Sequence, residues 1–212
     1  MDNKNNKGKM PAAKKEEYAV IIDYLSRGYV KSDMSKFGGE PIAQAIGTDQ
    51  FTLLELTPKR GVDLDIQDTV YIGSGKRDKI YRIGRLDYEN LTATSRIELE
   101  YAIRDIILNN EEKYVEFFNT AGAVSTRLHK LELIPGIGKK YMWEIIEARK
   151  EKPFENFDDI KERVPNLNDP VGMLVNRVMQ ELDTTTAKRG KKKYYIFTAV
   201  PRAPRKNKRK SR

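Results

Sequence analysis

The sequence contains no cysteine, one histidine (His129) and one tryptophan (Trp143). Without cysteine there is no disulfide scaffold, no thiolate metal site and no thiol nucleophile. With a single histidine, multi-histidine zinc sites and histidine-based dyads or triads that need a second ring are excluded. No apolar run approaches the roughly 20 residues that span a bilayer, and Met1-Asp2-Asn3-Lys4 does not open a signal peptide. The chain therefore reads as a soluble, cytoplasmic protein. No spaced carboxylate and histidine set is present, so no enzyme, cofactor, metal or small-molecule substrate is expected.

Charge is present in quantity, and its location is more informative than its total. The 212 residues carry +9. Residues 188–212 hold twelve lysines and arginines and no acid, and residues 1–15 hold five lysines against one aspartate. Residues 16–187 are left with 23 basic and 30 acidic side chains, a net −7. Any polyanion held by the middle of the chain must meet a local patch or backbone groups, because that part offers no broad basic surface.

Patterning divides the chain. Residues 1–15 are polar and aperiodic, a disordered basic arm. Residues 16–93 hold five strand candidates: Tyr18-Ala19-Val20-Ile21-Ile22 within 17–25, then Pro41–Gly47, Phe51–Thr57, Thr69–Gly73 and Lys79–Leu86. Their spacing predicts a small closed barrel of the oligonucleotide-binding (OB-like) kind, completed by a late strand over 193–200. Residues 94–124 read as linking helices, opened by a capping box of Ser95 and Glu98 and continued by Ile97, Tyr101, Ile103, Ile106 and Ile107 at helical spacing. Residues 125–183 predict four short helices at about 126–134, 139–151, 157–163 and 170–182, the last with Asp169 as cap and Pro170 in the first turn. Residues 201–212 form a basic tail. The expected class is α+β, a barrel beside an all-α domain.

The best local site lies at Pro135-Gly136-Ile137-Gly138-Lys139-Lys140. Glycines permit positive φ and close approach of a ligand, and the first turn of a helix offers unpaired N–H groups at the positive end of its dipole. Ile137 is expected to point inward and pin the loop, with Lys139 and Lys140 adding charge beside it. Such a site meets phosphate and leaves base edges unread. The segment 126–150 resembles the helix-hairpin-helix motif of DNA- and RNA-handling proteins. The following segment, with Phe157, Ile160 and Val164 leading into Pro165-Asn166-Leu167-Asn168-Asp169, resembles a degenerate second copy in which asparagines replace the glycines. Asparagine tolerates the left-handed conformation, so the second hairpin is expected to keep its shape and serve structure.

Three runs carry a wider resemblance: Val70-Tyr71-Ile72-Gly73, Leu131–Lys140, and Pro153–Ile160. Across about 18–200 the chain resembles an uncharacterised archaeal family described as candidate RNA-binding proteins. This implies a barrel beside a tandem helix-hairpin-helix domain.

Further cations for a nucleic acid are Lys76 and Arg77 at a basic turn of the barrel, Lys191, Lys192 and Lys193, and in the tail Arg202, Arg205, Lys206, Lys208, Arg209, Lys210 and Arg212. Gly73-Ser74-Gly75-Lys76 is not a phosphate loop, because Val70 and Arg77 stand where that motif needs glycine and serine or threonine. Asp63, Asp65 and Asp68 lack the glycine and distal glutamate of a calcium loop. Trp143 and Tyr141 either stack on a base beside the loop or, as their spacing favours, pack in the core, and His129 is expected to cap or pack within the first hairpin helix. Tyr194, Tyr195 and Phe197 alternate faces, and either pack in the barrel or stack on bases. The expected function is sequence-independent binding of nucleic acid without catalysis, with RNA favoured and the ribosome a candidate partner. The alternative is a DNA-binding protein of repair, replication or transcription.

Overall fold

The computed structural model describes residues 15–29, 39–167, 169–185 and 193–200. The expected arm and tail, with Lys191, Lys192 and every tail cation named above, lie outside them. Strands β1 (Tyr18–Leu25), β2 (Ile42–Gly47), β3 (Leu53–Pro58), β4 (Thr69–Tyr71) and β5 (Ile80–Arg85) form one antiparallel sheet in the order β4-β1-β2-β3-β5. Ala19 and Ile21 of β1 face the inside of its curl, in a core with Ala45, Leu56, Val70 and Ile80. Val20 and Ile22 face the other way, into the core shared with the helices. Burial on both sides explains why residues 19–22 of β1 read as an unbroken apolar run.

The sheet is barrel-like but open. Among the described residues β4 and β5 remain as edges, and the expected closure is not made by them. Nor does 193–200 add a strand. Its backbone is irregular, because the buried Glu181 carboxylate accepts from the amides of Ile196, Phe197 and Thr198 at 2.9, 3.1 and 2.9 Å. Those amides are no longer available to a ladder. The segment does return to the sheet, where Ala199 N donates to Gln50 O at the β2–β3 turn, 3.2 Å. That turn is held from beneath by Glu16, whose carboxylate accepts from Asp49, Gln50 and Thr52 amides.

Helix α1 (Ala93–Leu108) starts earlier than the capping box predicts. Its cap is Thr92, whose Oγ1 accepts from Ser95 N at 3.0 Å and donates to Asp23 of β1 at 2.6 Å, while Thr92 N donates to the buried Gln44 side chain of β2. Ser95 is buried inside the first turn, and Glu98 instead accepts from Gln67. The buried face is Leu99, Ala102, Ile103, Ile106 and Ile107; Ile97 and Tyr101 are exposed. With α2 (Glu111–Thr120), α1 joins sheet and helices in one continuous apolar core.

The helix expected over 126–134 is absent. In its place stand a short hairpin, β6 (Ala123–Ser125) and β7 (Leu128–His129), and a single 3₁₀ turn over Leu131–Leu133. Lys130 N crosses to Gly122 O, His129 N donates to Glu132, and Leu131 N donates to His129 Nδ1. These bonds take the amides that a helix would have used. Helices α3 (Lys139–Glu151), α4 (Phe157–Arg163) and α5 (Pro170–Leu182) follow where the sequence places them. No helix among the described residues is long and apolar enough to cross a membrane.

Candidate functional site

The loop before α3 is built by three local requirements. Pro135 ends the 3₁₀ turn. Gly136 sits at φ +90°, where a side chain is strained. Ile137 is buried and its amide closes the turn onto Ile134 O at 3.0 Å. Gly138 then caps α3 with an ordinary φ of −85°. A Cβ at Gly138 would meet nothing within 4 Å, so neither the backbone nor the packing of this chain demands glycine there.

The start of α3 is also electrostatically unbalanced. No side chain caps it and no acid lies in its first turn. Lys139 and Lys140 stand exposed at the positive end of the dipole, where a cation is disfavoured. Their partnering is slight: the Lys140 ammonium lies 3.9 Å from Glu144.

The next turn repeats the geometry and reverses the electrostatics. Leu167 N bonds Val164 O at 3.2 Å, Leu167 is buried as Ile137 is, and Asn166 takes φ +68° in the place of Gly136. Asn168 lies outside the described residues. Here Asp169 caps α5, accepting from Gly172 N at 2.8 Å and lying 3.4 Å from Arg104. The two turns adjoin, since a Cβ on Gly136 would come within 3.2 Å of Met173 in the first turn of α5. One helix start thus carries its own carboxylate, and its neighbour is bare.

The other expected site residues are dispersed. Pro135 is half-buried, and Gly136, Gly138, Lys139 and Lys140 are exposed around buried Ile137. Lys76 and Arg77 lie on the loop between β4 and β5. In that loop the Gly75 amide donates to the Tyr71 hydroxyl at 3.0 Å, and a Cβ on Gly75 would meet that hydroxyl at 2.9 Å. Gly75 therefore makes room for a tyrosine ring. Lys193 is a structural tie rather than a free cation: its ammonium donates to Asp183 O at 2.7 Å and lies 5.5 Å from the centre of the Tyr195 ring, and burial lowers its pKa. Phe197 packs edge-on against Phe117, 5.0 Å between centroids, and lies 5.8 Å from Tyr114, so it belongs to the core. Asp63 accepts from the Tyr24 hydroxyl and Asp68 pairs with Lys79.

Trp143 reverses its expectation. Tyr141 is half-buried against the core, but Trp143 is 57% exposed on α3. Helical periodicity carried that signal, because Met142 and Ile145 take the buried face and leave 143 opposite them.

His129 caps the 3₁₀ turn ahead of the site, as its Nδ1 accepts from Leu131 N at 3.2 Å. Burial, then the Arg149 charge, lowers its pKa below the ordinary 6.5, with Lys130 adding to the effect and Glu132 opposing it. Folding thus favours the neutral ring. Stability is full above that ordinary value and declines as pH falls from it through the lowered one. His129→Asn retains an acceptor and is expected to remove this decline. Melting temperatures at about pH 7.5 and about pH 5 check it, and an equal pH response in both proteins would refute it.

Together these features define an α+β protein in which a curled, barrel-like sheet shares its core with a helical unit built on two matched turns. The chain belongs to the family described as "Protein of unknown function (DUF655)", whose model matches residues 15–199. It is 45% identical over 184 residues to the uncharacterized protein MJ0038 of Methanocaldococcus jannaschii, covering 86% of this chain and 79% of that protein. It is similar also to the crystal structure of Af1531 from Archaeoglobus fulgidus, with 43% identity, a TM-score of 0.77 and coverage of 87% of this chain and 100% of that one. The expected membership of an uncharacterised family with archaeal members is met.

Proposed function

We propose that this protein is a sequence-independent nucleic-acid-binding protein without catalytic activity, that its preferred partner is RNA, and that it works in the cytoplasm on the folded RNA of the ribosome. The two matched turns are read as a tandem helix-hairpin-helix unit, with a 3₁₀ turn standing in for the first helix, beside an OB-like sheet. The observation that carries the reading is the bare start of α3. Gly138 has no internal reason to be glycine, and Lys139 and Lys140 sit where only an anion makes them favourable. A phosphate oxygen supplies at α3 what Asp169 supplies at α5. Long basic stretches at both ends of the sequence suit dense RNA better than an isolated duplex.

The test exploits that symmetry. Gly138→Asp gives α3 its own carboxylate cap, and because glycine is itself a tolerated cap the change is expected to raise stability by only about 0.2–0.5 kcal/mol. The same carboxylate repels phosphate and occupies its donors, so affinity for RNA is expected to fall about tenfold or more. Stability and binding move in opposite directions, which separates a lost site from a damaged fold. Unchanged affinity in a folded Gly138→Asp protein would reduce the hairpin to a structural turn. Salt-titrated binding to ribosomal RNA, duplex DNA and single strands, with recovery of ribosomes at moderate salt, tests the preference for RNA.

A further inference from the structure

A second surface on the sheet has the chemistry of a nucleic-acid contact. Among the described residues β5 is an edge strand, hydrogen-bonded on one side only, by β3. Its register contains a bulge: Pro58 opposes Ile80 and Thr57 opposes Arg82, so Tyr81 has no partner residue. The bulge changes what faces where. Ile80 is buried inside the curl and Ile83 packs against the same core, three residues apart, although strict alternation would put them on opposite faces. The extra residue absorbs the difference and leaves Tyr81 and Arg82 adjacent and both exposed. Tyr81 is 71% exposed, more than any other large apolar or aromatic residue among those described.

The surroundings are cationic. Lys59 N donates to Lys79 O at 2.8 Å, and the Lys59 ammonium donates to Arg77 O, so the turn after β3 and the loop before β5 lie side by side. These contacts place Lys59 and Arg77 next to the start of β5, with Arg60 and Lys76 adjacent to them in the same two turns and Asp78 as the one acid of the loop. Lys79 is paired with Asp68. Among the described residues, Arg60, Lys76, Arg77 and Arg82 have no ion pair. An aromatic ring held out by a bulge within unpaired cations matches the binding mode of single strands, in which bases stack and the backbone is drawn in by charge.

We propose that this edge binds single-stranded nucleic acid, with Tyr81 stacking on an unpaired base and Arg82 and its neighbours meeting the flanking phosphates. The proposal rests on the nucleic-acid reading above and adds to it a preference for strandedness that the hairpin cannot supply. The test uses the full chain and a fluorescein-labelled oligouridine of about twelve nucleotides, with an RNA duplex of equal length beside it. Tyr81→Ala is expected to weaken single-strand binding about 5- to 100-fold with an unchanged salt slope, because stacking releases no counterions. Tyr81→Phe should stay within about twofold of the parent, and duplex binding should not respond to Tyr81→Ala. Arg82→Ala should lower the single-strand salt slope by about 0.7.

Normal oligouridine affinity in Tyr81→Ala, while Gly138→Asp is impaired, would overturn the edge site and leave the proposed function standing. An equal loss on duplex and single strand would also overturn it. So would a change in self-association without a change in binding, which would make the edge a strand-pairing surface between copies. No binding by the parent protein would remove both readings.

Discussion

Replacing Glu181 with alanine is expected to cost about 3–5 kcal/mol of folding stability, the largest effect of any single substitution proposed for this chain. The side chain is 1% exposed and takes five hydrogen bonds: from Arg177 Nε at 2.7 Å, from the amides of 196, 197 and 198, and from the Thr198 hydroxyl at 3.0 Å. Arg177 is itself buried, and its other nitrogens donate to Leu133 O and Tyr194 O. Removing the carboxylate strands a buried guanidinium and three amides at once. That outweighs the gain from no longer desolvating Glu181. A domain stabilised by about 5–15 kcal/mol loses a large part of its margin. Denaturant titration reads the loss directly, and a change below about 1 kcal/mol would show that water replaces the carboxylate at little cost. The effect should reach the site as well. Arg177 holds Leu133 O one residue before the Ile134 turn, so Glu181→Ala is expected to weaken RNA binding while still folded.

Glu181 also marks the boundary of what could be read along the chain. Features decided within a few residues were legible: Asp169 capping a helix that begins with Pro170, the inward Ile137, and the left-handed Asn166. Features decided by a partner far along the chain were not. Residues 194–200 have the composition of a strand, but a carboxylate 15–17 residues earlier takes their amides. Ser95 and Glu98 satisfy the capping-box pattern, but Thr92 is anchored to Asp23 and Gln44, 69 and 48 residues away, and the helix starts from it. The apolar face of α1 was blurred because Ile97 and Tyr101 fall beside the buried stripe, not on it. The bulge at Tyr81 has no signature in β5 alone, since it exists only in the register with β3. The turn before α3 was legible because Pro135 and Gly136 act locally. The contrast between a capped and an uncapped helix start needed both turns side by side.

Removing residues 201–212 is expected to produce the largest change in binding. The segment carries seven lysines and arginines and no acid, on a chain whose residues 16–187 sum to −7. Each phosphate neutralised contributes about 0.7–0.9 to the slope of log affinity against log salt. If most of the seven are engaged, the slope falls by about 4–5, which amounts to a difference of about 250- to 1,000-fold in the salt response between about 50 and 200 mM. The hairpin predicts a different signature. Gly138→Asp removes one or two phosphate contacts, so it should shift affinity by about tenfold and the slope by no more than about 1–2. The two variants therefore divide the roles. The tail would supply salt-sensitive affinity that any polyanion satisfies, and the uncapped α3 would fix where the acidic fold sits against it. An unchanged slope after removal of 201–212 would refute that division and move the charge requirement to the Lys59–Arg82 edge and the hairpin lysines. In that case Arg82→Ala and Gly138→Asp together should lower the slope by about 2–3.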